Sequence, residues 1–166
     1  LFPYTTLFRS NGRFFAKKLS GQERFAREMM AELDKICKPG EFEIVTSEYA
    51  KDIPEYKNIK VIKYGKVKSH FWEQINLWWY LVKNKKTGVN LCTTCPLLKP
   101  DINTIHDISM TVNKQWYNNL YGRMSRIWHE FMKFTTFHFA KKVFTVSEFS
   151  KSEMIRVFKA DPEDRK

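Results

Sequence analysis

Cysteine is scarce in this 166-residue chain, where Cys37, Cys92 and Cys95 are the only three. An odd, scattered set excludes a disulfide framework and suits a reducing compartment, so a cytoplasmic location is expected, with at most a peripheral place on the inner face of a membrane. Long apolar runs are missing too: none approaches the ~20 residues that a membrane-spanning helix needs. There is no internal repeat, no low-complexity tract, and no RNP, zinc-finger or helix–turn–helix signature. The Cys92-Thr93-Thr94-Cys95 spacing matches half a zinc site or a redox pair. No second Cys pair accompanies it, and it follows a late strand instead of opening a helix, so no metal site is expected.

What the chain has is apolar mass and positive charge. Hydrophobic residues make up 43% and aromatics 16%, enough for a core and too much for a disordered chain. Twenty-nine Lys and Arg against eighteen Asp and Glu give a net charge of +11, which implies nucleic acid, phosphorylated small molecules or an acidic membrane as company. The length suits one domain and is too short for two full α/β domains. The first ten residues, LFPYTTLFRS, resemble a translated sequencing adapter and are set apart as a non-native segment, which leaves 11–166 as the domain proper. Only Arg9 is lost with them, so the charge becomes +11 − 1 = +10. Such a segment was never selected to pack and is expected to add little stability, except where Leu7–Ser10 extend the first strand by accident.

From Asn11 onward short apolar runs alternate with helical segments, the pattern of βαβ units and a mainly parallel, Rossmann-like α/β sheet. Arg13–Ala16 read as the tail of a first strand. Gln22–Ile36 place Phe25, Met29, Met30, Leu33 and Ile36 at helical spacing, and Lys38-Pro39-Gly40 end that helix. Phe42–Thr46, Ile59–Ile62, Val89–Thr93, Asn103–His106 and Val143–Val146 read as strands. Three more helices are expected. His70–Val82 carries Phe71, Ile75, Trp78, Trp79 and Val82 on the face that covers the sheet, and Trp72, Trp78 and Trp79 are read as core. Asn118–Lys142 is the most strongly patterned: Trp128, Phe131, Phe134 and His138 form a stripe that covers the sheet, or, left outside, joins Arg123, Arg126, Lys133, Lys141 and Lys142 as an anionic-membrane contact. Glu148–Phe158 is the last, with Ser150 and Glu153 at capping-box spacing.

Three local patterns carry chemistry. Asn11-Gly12-Arg13-Phe14 leads to Leu19-Ser20-Gly21-Gln22-Glu23-Arg24-Phe25, Thr104-Ile105-His106-Asp107 ends a strand, and Phe144-Thr145-Val146-Ser147-Glu148-Phe149-Ser150-Lys151 runs from a strand into a helix. Gly21 admits close backbone approach, and the following helix start offers free N–H groups to an anion. His106 suits a sugar hydroxyl or a leaving phosphate, Asp107 orients a hydroxyl or caps a turn, and Ser147 and Ser150 cap a helix. In this order the patterns resemble the family-4 glycosyltransferases. The resemblance covers about Asn11–Asp161, though Glu23 stands where many relatives have a second Gly, which weakens a multi-Gly phosphate cradle.

The resemblance implies the N-terminal, acceptor-side half of a GT-B enzyme: sugar transfer from a nucleotide-diphosphate sugar to a saccharide or lipid-linked acceptor, with retention. It further implies a donor-gripping C-terminal domain that these residues do not supply, so the fragment alone is expected to be inactive. No cofactor beyond the donor substrate and no nucleic-acid partner is implied. His106 and Asp107 are the candidate catalytic pair, and Gly21, Arg24, Ser147, Glu148 and Ser150 the candidate acceptor or phosphate ligands. Two other readings compete: a non-enzymatic basic Rossmann-like module for nucleic acid or an anionic membrane, and a small flavodoxin-like redox enzyme resting on Cys92 and Cys95. Basic side chains gathered in a cleft favour a phosphate ligand, whereas one flat basic face favours a polyanion.

Overall fold

The computed structural model describes residues 8–159. In chain order it runs β1 (Phe8–Asn11), a 3-10 turn (Gly12–Phe15), α1 (Gly21–Ile36), β2 (Phe42–Thr46), β3 (Lys60–Lys63), α2 (Ser69–Trp72), a π turn (Glu73–Leu77) and α3 (Trp78–Lys83). Then come β4 (Thr87–Asn90), β5 (Ile102–Thr104), α4 (Ser109–Val112), a second 3-10 turn (Lys114–Tyr117), α5 (Leu120–Phe139), β6 (Lys142–Phe144) and α6 (Glu148–Phe158). The six strands pair in parallel in the order β3-β2-β1-β4-β5-β6, the Rossmann-like arrangement. Successive residues of a strand face opposite sides, and β2 shows it. Ile44 joins Phe14, Phe15, Ala26 and Met30 beneath α1, whereas Val45 joins Trp72, Leu77 and Leu81 beneath α2 and α3. A third cluster, Ile105, Ile108 and Met154, seats α6 at the far end of the sheet.

The α/β, mainly parallel expectation holds, and every expected strand after the first lies within two or three residues of an observed one. The first does not. Arg13–Ala16 were expected to extend, but Asn11 Oδ1 accepts from the Arg13 N–H at 3.2 Å and starts a 3-10 turn there. The strand is Phe8–Asn11, at the centre of the sheet, with Ser10 and Asn11 buried and Arg9 paired to Glu43 at 2.7 Å. Phe8, Arg9 and Ser10 are thus part of the sheet, the exception allowed for Leu7–Ser10 in the expectation that 1–10 add little; residues 1–7 lie outside the described residues. Chain direction explains the turn. Gly12 passes so close to β2 that a Cβ there would sit 2.6 Å from Ile44 Cγ2 and 2.8 Å from the Val45 carbonyl oxygen.

The helical faces also need correction. Phe71, Ile75, Trp79 and Val82 point outward, Phe71 at 69% exposure, and the buried face is Trp72, Glu73, Leu77 and Leu81. Of the three expected core tryptophans only Trp72 is buried, its indole N–H donating to the Tyr64 carbonyl at 2.7 Å. On α5 the aromatic stripe stays half exposed, as do Leu120, Met124 and Ile127, while Lys133 is buried and paired to Glu130 at 3.0 Å. Met132, Thr135 and Thr136 face inward in its place. At α6 the cap is Ser147, whose oxygen accepts from the Ser150 N–H, and not the expected Ser150–Glu153 box; Glu153 pairs with Arg156 instead. Among the described residues no helix is long and apolar enough to cross a membrane.

Gly12 and Gly21 make a matched pair for mutation. Nothing lies within 4 Å of where a Gly21 Cβ would be, at the exposed first residue of α1. Gly21→Ala is therefore expected to raise stability by about 0.5 kcal/mol through helix propensity, and Gly12→Ala to lower it by about 1–3 kcal/mol through overpacking. Urea denaturation midpoints of the two variants check both signs.

Candidate functional site

In a parallel sheet all carboxyl ends lie on one edge, and ligands bind beyond it where strand order reverses. Here the reversal falls between β1 and β4. Both strands end in Asn: Asn11 Nδ2 donates to Asn90 Oδ1 at 3.1 Å and to Glu73 Oε1 at 2.8 Å. Glu73 comes from the π turn and is 1% exposed. It also accepts from Thr94 Oγ1 at 2.8 Å and binds the Arg13 guanidinium through its other oxygen. Burial alone would raise the Glu73 pKa, but the Arg13 charge foremost, with the Asn11 and Thr94 donors, outweighs it and holds the carboxyl below its ordinary value. Arg13 Nη1 also lies 2.7 Å from His70 Nδ1, and the same ring nitrogen is 3.6 Å from Glu73 Oε2.

A cavity of about 800 Å³ opens beside this network, between the turn after β1, the Ser47–Lys51 loop after β2 and the Val67–His70 approach to α2. Arg13, Lys17, Lys51 and Lys68 stand in its wall against one carboxylate, Glu48. Lys17 is tied to the buried Glu23, which also takes the Ser20 hydroxyl. Lys68 lies over the Tyr49 ring at 5.1 Å. Outside the cavity wall, His129 of α5 is half-buried, and its neighbour Trp128 stands edge-on to the His70 ring. Burial first, then the charges of Lys133, His70, Lys17 and Arg13, push the His129 pKa down to about 4.

That shift has a measurable sign. His129 takes up its proton below about 6.5 when unfolded and only near 4 when folded, so between those values the unfolded chain holds more protons and stability falls as pH falls. The loss over the window is expected to reach roughly 3 kcal/mol. His129→Gln should flatten the pH dependence between 6.5 and 4, measured by chemical denaturation at each pH.

The expected site residues also lie past carboxyl ends, but apart from this cavity. His106 follows β5, donates through Nε2 to the Leu91 carbonyl at 2.8 Å, and stands edge-on to Phe25 at 5.0 Å. In the neutral ring Nδ1 is then an acceptor, which fits a sugar hydroxyl and not a phosphate oxygen. The buried Ser150 hydroxyl donates to the His106 carbonyl at 3.1 Å, so α6 braces this corner. Gly21 and Arg24 are exposed on the first turn of α1, whose Gln22 reaches Thr93. Asp107 caps the α4 turn, accepting from the Ser109 N–H and hydroxyl. Glu148 is exposed and pairs with Lys151 at 3.6 Å.

The chain matches no family model, no curated protein and no solved structure. Its site stands on its own geometry. Sequence reading passed over Glu73, Asn90, Lys17, His70 and His129; the one available signal was a carboxylate among the apolar residues of a sheet-covering helix. Cys92 and Cys95 are free, and burial pushes both thiols up to about 12, unsuited to thiolate redox chemistry. Among the described residues no group of three His, Cys, Asp or Glu is placed to hold a metal ion.

Proposed function

We propose that this domain is the acceptor-binding half of a retaining GT-B glycosyltransferase similar to family 4. The observation that carries the reading is a basic cavity beside the strand-order reversal of a Rossmann-like sheet, where four cations gather in a cleft and not on one flat face. His106 packs against Phe25 of α1 at the carboxyl edge of the sheet, which supports this reading. In this reading His106 receives an acceptor hydroxyl on Nδ1. Asp107 fixes the turn that carries it. The donor is a nucleotide-diphosphate sugar held largely by a second domain, and nucleic acid is not a partner.

Saturation-transfer NMR on the chain with a panel of mono- and disaccharides tests this. Saccharide signals are expected, and His106→Ala should weaken them about tenfold, the worth of one well-placed hydrogen bond. Absence of any saccharide signal, with tight binding of single-stranded or duplex oligonucleotides instead, would establish the polyanion-binding alternative. The outward Leu120, Met124, Ile127 and Phe131 face of α5 favours a peripheral contact with an anionic membrane as an accompaniment. Met124→Glu with Ile127→Glu is then expected to abolish sedimentation with anionic vesicles; unchanged sedimentation ends that part of the proposal.

A further inference from the structure

The cavity beside β1 is built for one kind of group. Two of its cations are fixed from behind by carboxylates that do not face solvent: Arg13 by Glu73 and Lys17 by Glu23, both carboxylates at 1% exposure. Two others, Lys51 and Lys68, are exposed and make no ion pair among the described residues. A surface lysine alone signifies little, since exposed charges are solvated and screened. Four cations around one concave wall, two of them held in place, focus a positive potential into the space between them. His129 on α5, whose pKa is lowered mainly by burial and then by Lys133, feels His70, Lys17 and Arg13 of this wall as well. Backbone geometry agrees with a shaped wall: Ser69, which lines the cavity next to His70, holds φ at +59°, a conformation that side chains other than glycine rarely adopt. With Glu73 and Glu23 matched to Arg13 and Lys17, the charge left for a ligand is that of Lys51 and Lys68 against Glu48.

We propose that this cavity is a phosphate site, in which Lys17, Lys51 and Lys68 receive the phosphoryl oxygens of a phosphomonoester or phosphodiester while Arg13 and His70 form the fixed floor. The proposal rests on the glycosyltransferase reading only in naming the phosphorylated molecule as the acceptor; phosphate capture itself does not depend on it. The volume of about 800 Å³ exceeds a bare phosphate and leaves room for the group that the phosphate is esterified to. His106 lies outside the cavity wall. A phosphate held here therefore orients the acceptor from a distance and is not the leaving group.

The test uses the whole chain and inorganic phosphate first, followed by ring-proton NMR of His129 across pH. Saturable binding is expected, with the His129 titration moving up from about 4 as the charges of Lys17 and Arg13 are compensated. Lys51→Ala with Lys68→Ala, two exposed positions whose loss leaves the fold intact, should weaken phosphate about tenfold or more, whereas Lys35→Ala on the outer surface of α1 should not. Equal weakening by both variants, or saturation without movement of the His129 titration, overturns the site. A soluble hexose phosphate and a vesicle carrying a polyprenyl phosphate form the next two arms; tighter binding of the first assigns a soluble acceptor, of the second a lipid-linked one. Phosphate binding without any saccharide signal refutes the transferase reading and leaves this site standing. A saccharide signal dependent on His106 without phosphate binding does the reverse.

Discussion

Deleting residues 1–10 is expected to leave the chain without a cooperative unfolding transition, because it removes Phe8, Arg9 and Ser10 from the central strand. Those residues pair with Phe42–Ile44 on one side and Thr87–Val89 on the other, so the sheet would be cut into two halves. The buried Arg9–Glu43 pair goes with them and leaves Glu43 without its cation. Ser10→Pro probes the same strand with every other residue retained. Proline has no N–H to give the ladder and is not tolerated in a central strand, so a loss of about 3 kcal/mol or more is expected. Far-ultraviolet circular dichroism against urea reads both. A deletion variant with a native midpoint would show that β1 is dispensable.

The second large effect is expected at Glu73. Its carboxylate holds Asn11, Thr94 and the Arg13 guanidinium in one buried network at the junction of β1, β4 and the π turn. Glu73→Ala strands a buried cation and two donors, for which a loss of about 3–5 kcal/mol is typical. Glu73→Gln keeps an oxygen for Asn11 or Thr94 and loses only the charge opposite Arg13, so a smaller loss is expected. Denaturation measurements on the pair separate charge from hydrogen bonding. Equal losses would mean that the charge opposite Arg13 carries the whole effect and the retained hydrogen bonds none of it.

These two positions show what the sequence discloses and what it does not. Strand existence and a mainly parallel sheet were legible because short runs such as β2 and β3, rich in β-branched residues, alternate with helical segments between turns. Helix α6 was legible to the residue, since Ser147 caps it and the chain leaves the helical path there. The first strand was not. Phe-Arg-Ser-Asn has no apolar alternation, and it is stabilised by two neighbouring strands that lie 34 and 79 positions further along. The inward faces of α2, α3 and α5 were illegible for a different reason: these helices carry apolar residues on both sides, so periodicity locates stripes without saying which one meets the sheet. At the edge, His106 was visible because it directly follows an apolar strand. The cavity was not, because Arg13, Lys51 and Lys68 come from three separated segments and meet only through the fold.

The pairing of β1 with β4 fixes an order of events during synthesis. Phe8 lies opposite Thr87, so 79 residues must be added after the first strand is made before its second neighbour exists. At ribosomal speeds that is an interval of roughly 4–16 s. Throughout it, one side of β1 exposes unpaired N–H and C=O groups, an invitation to strands of other chains. The sheet can close only after α3 has emerged and β4 follows it, so β1 waits longest for its second neighbour.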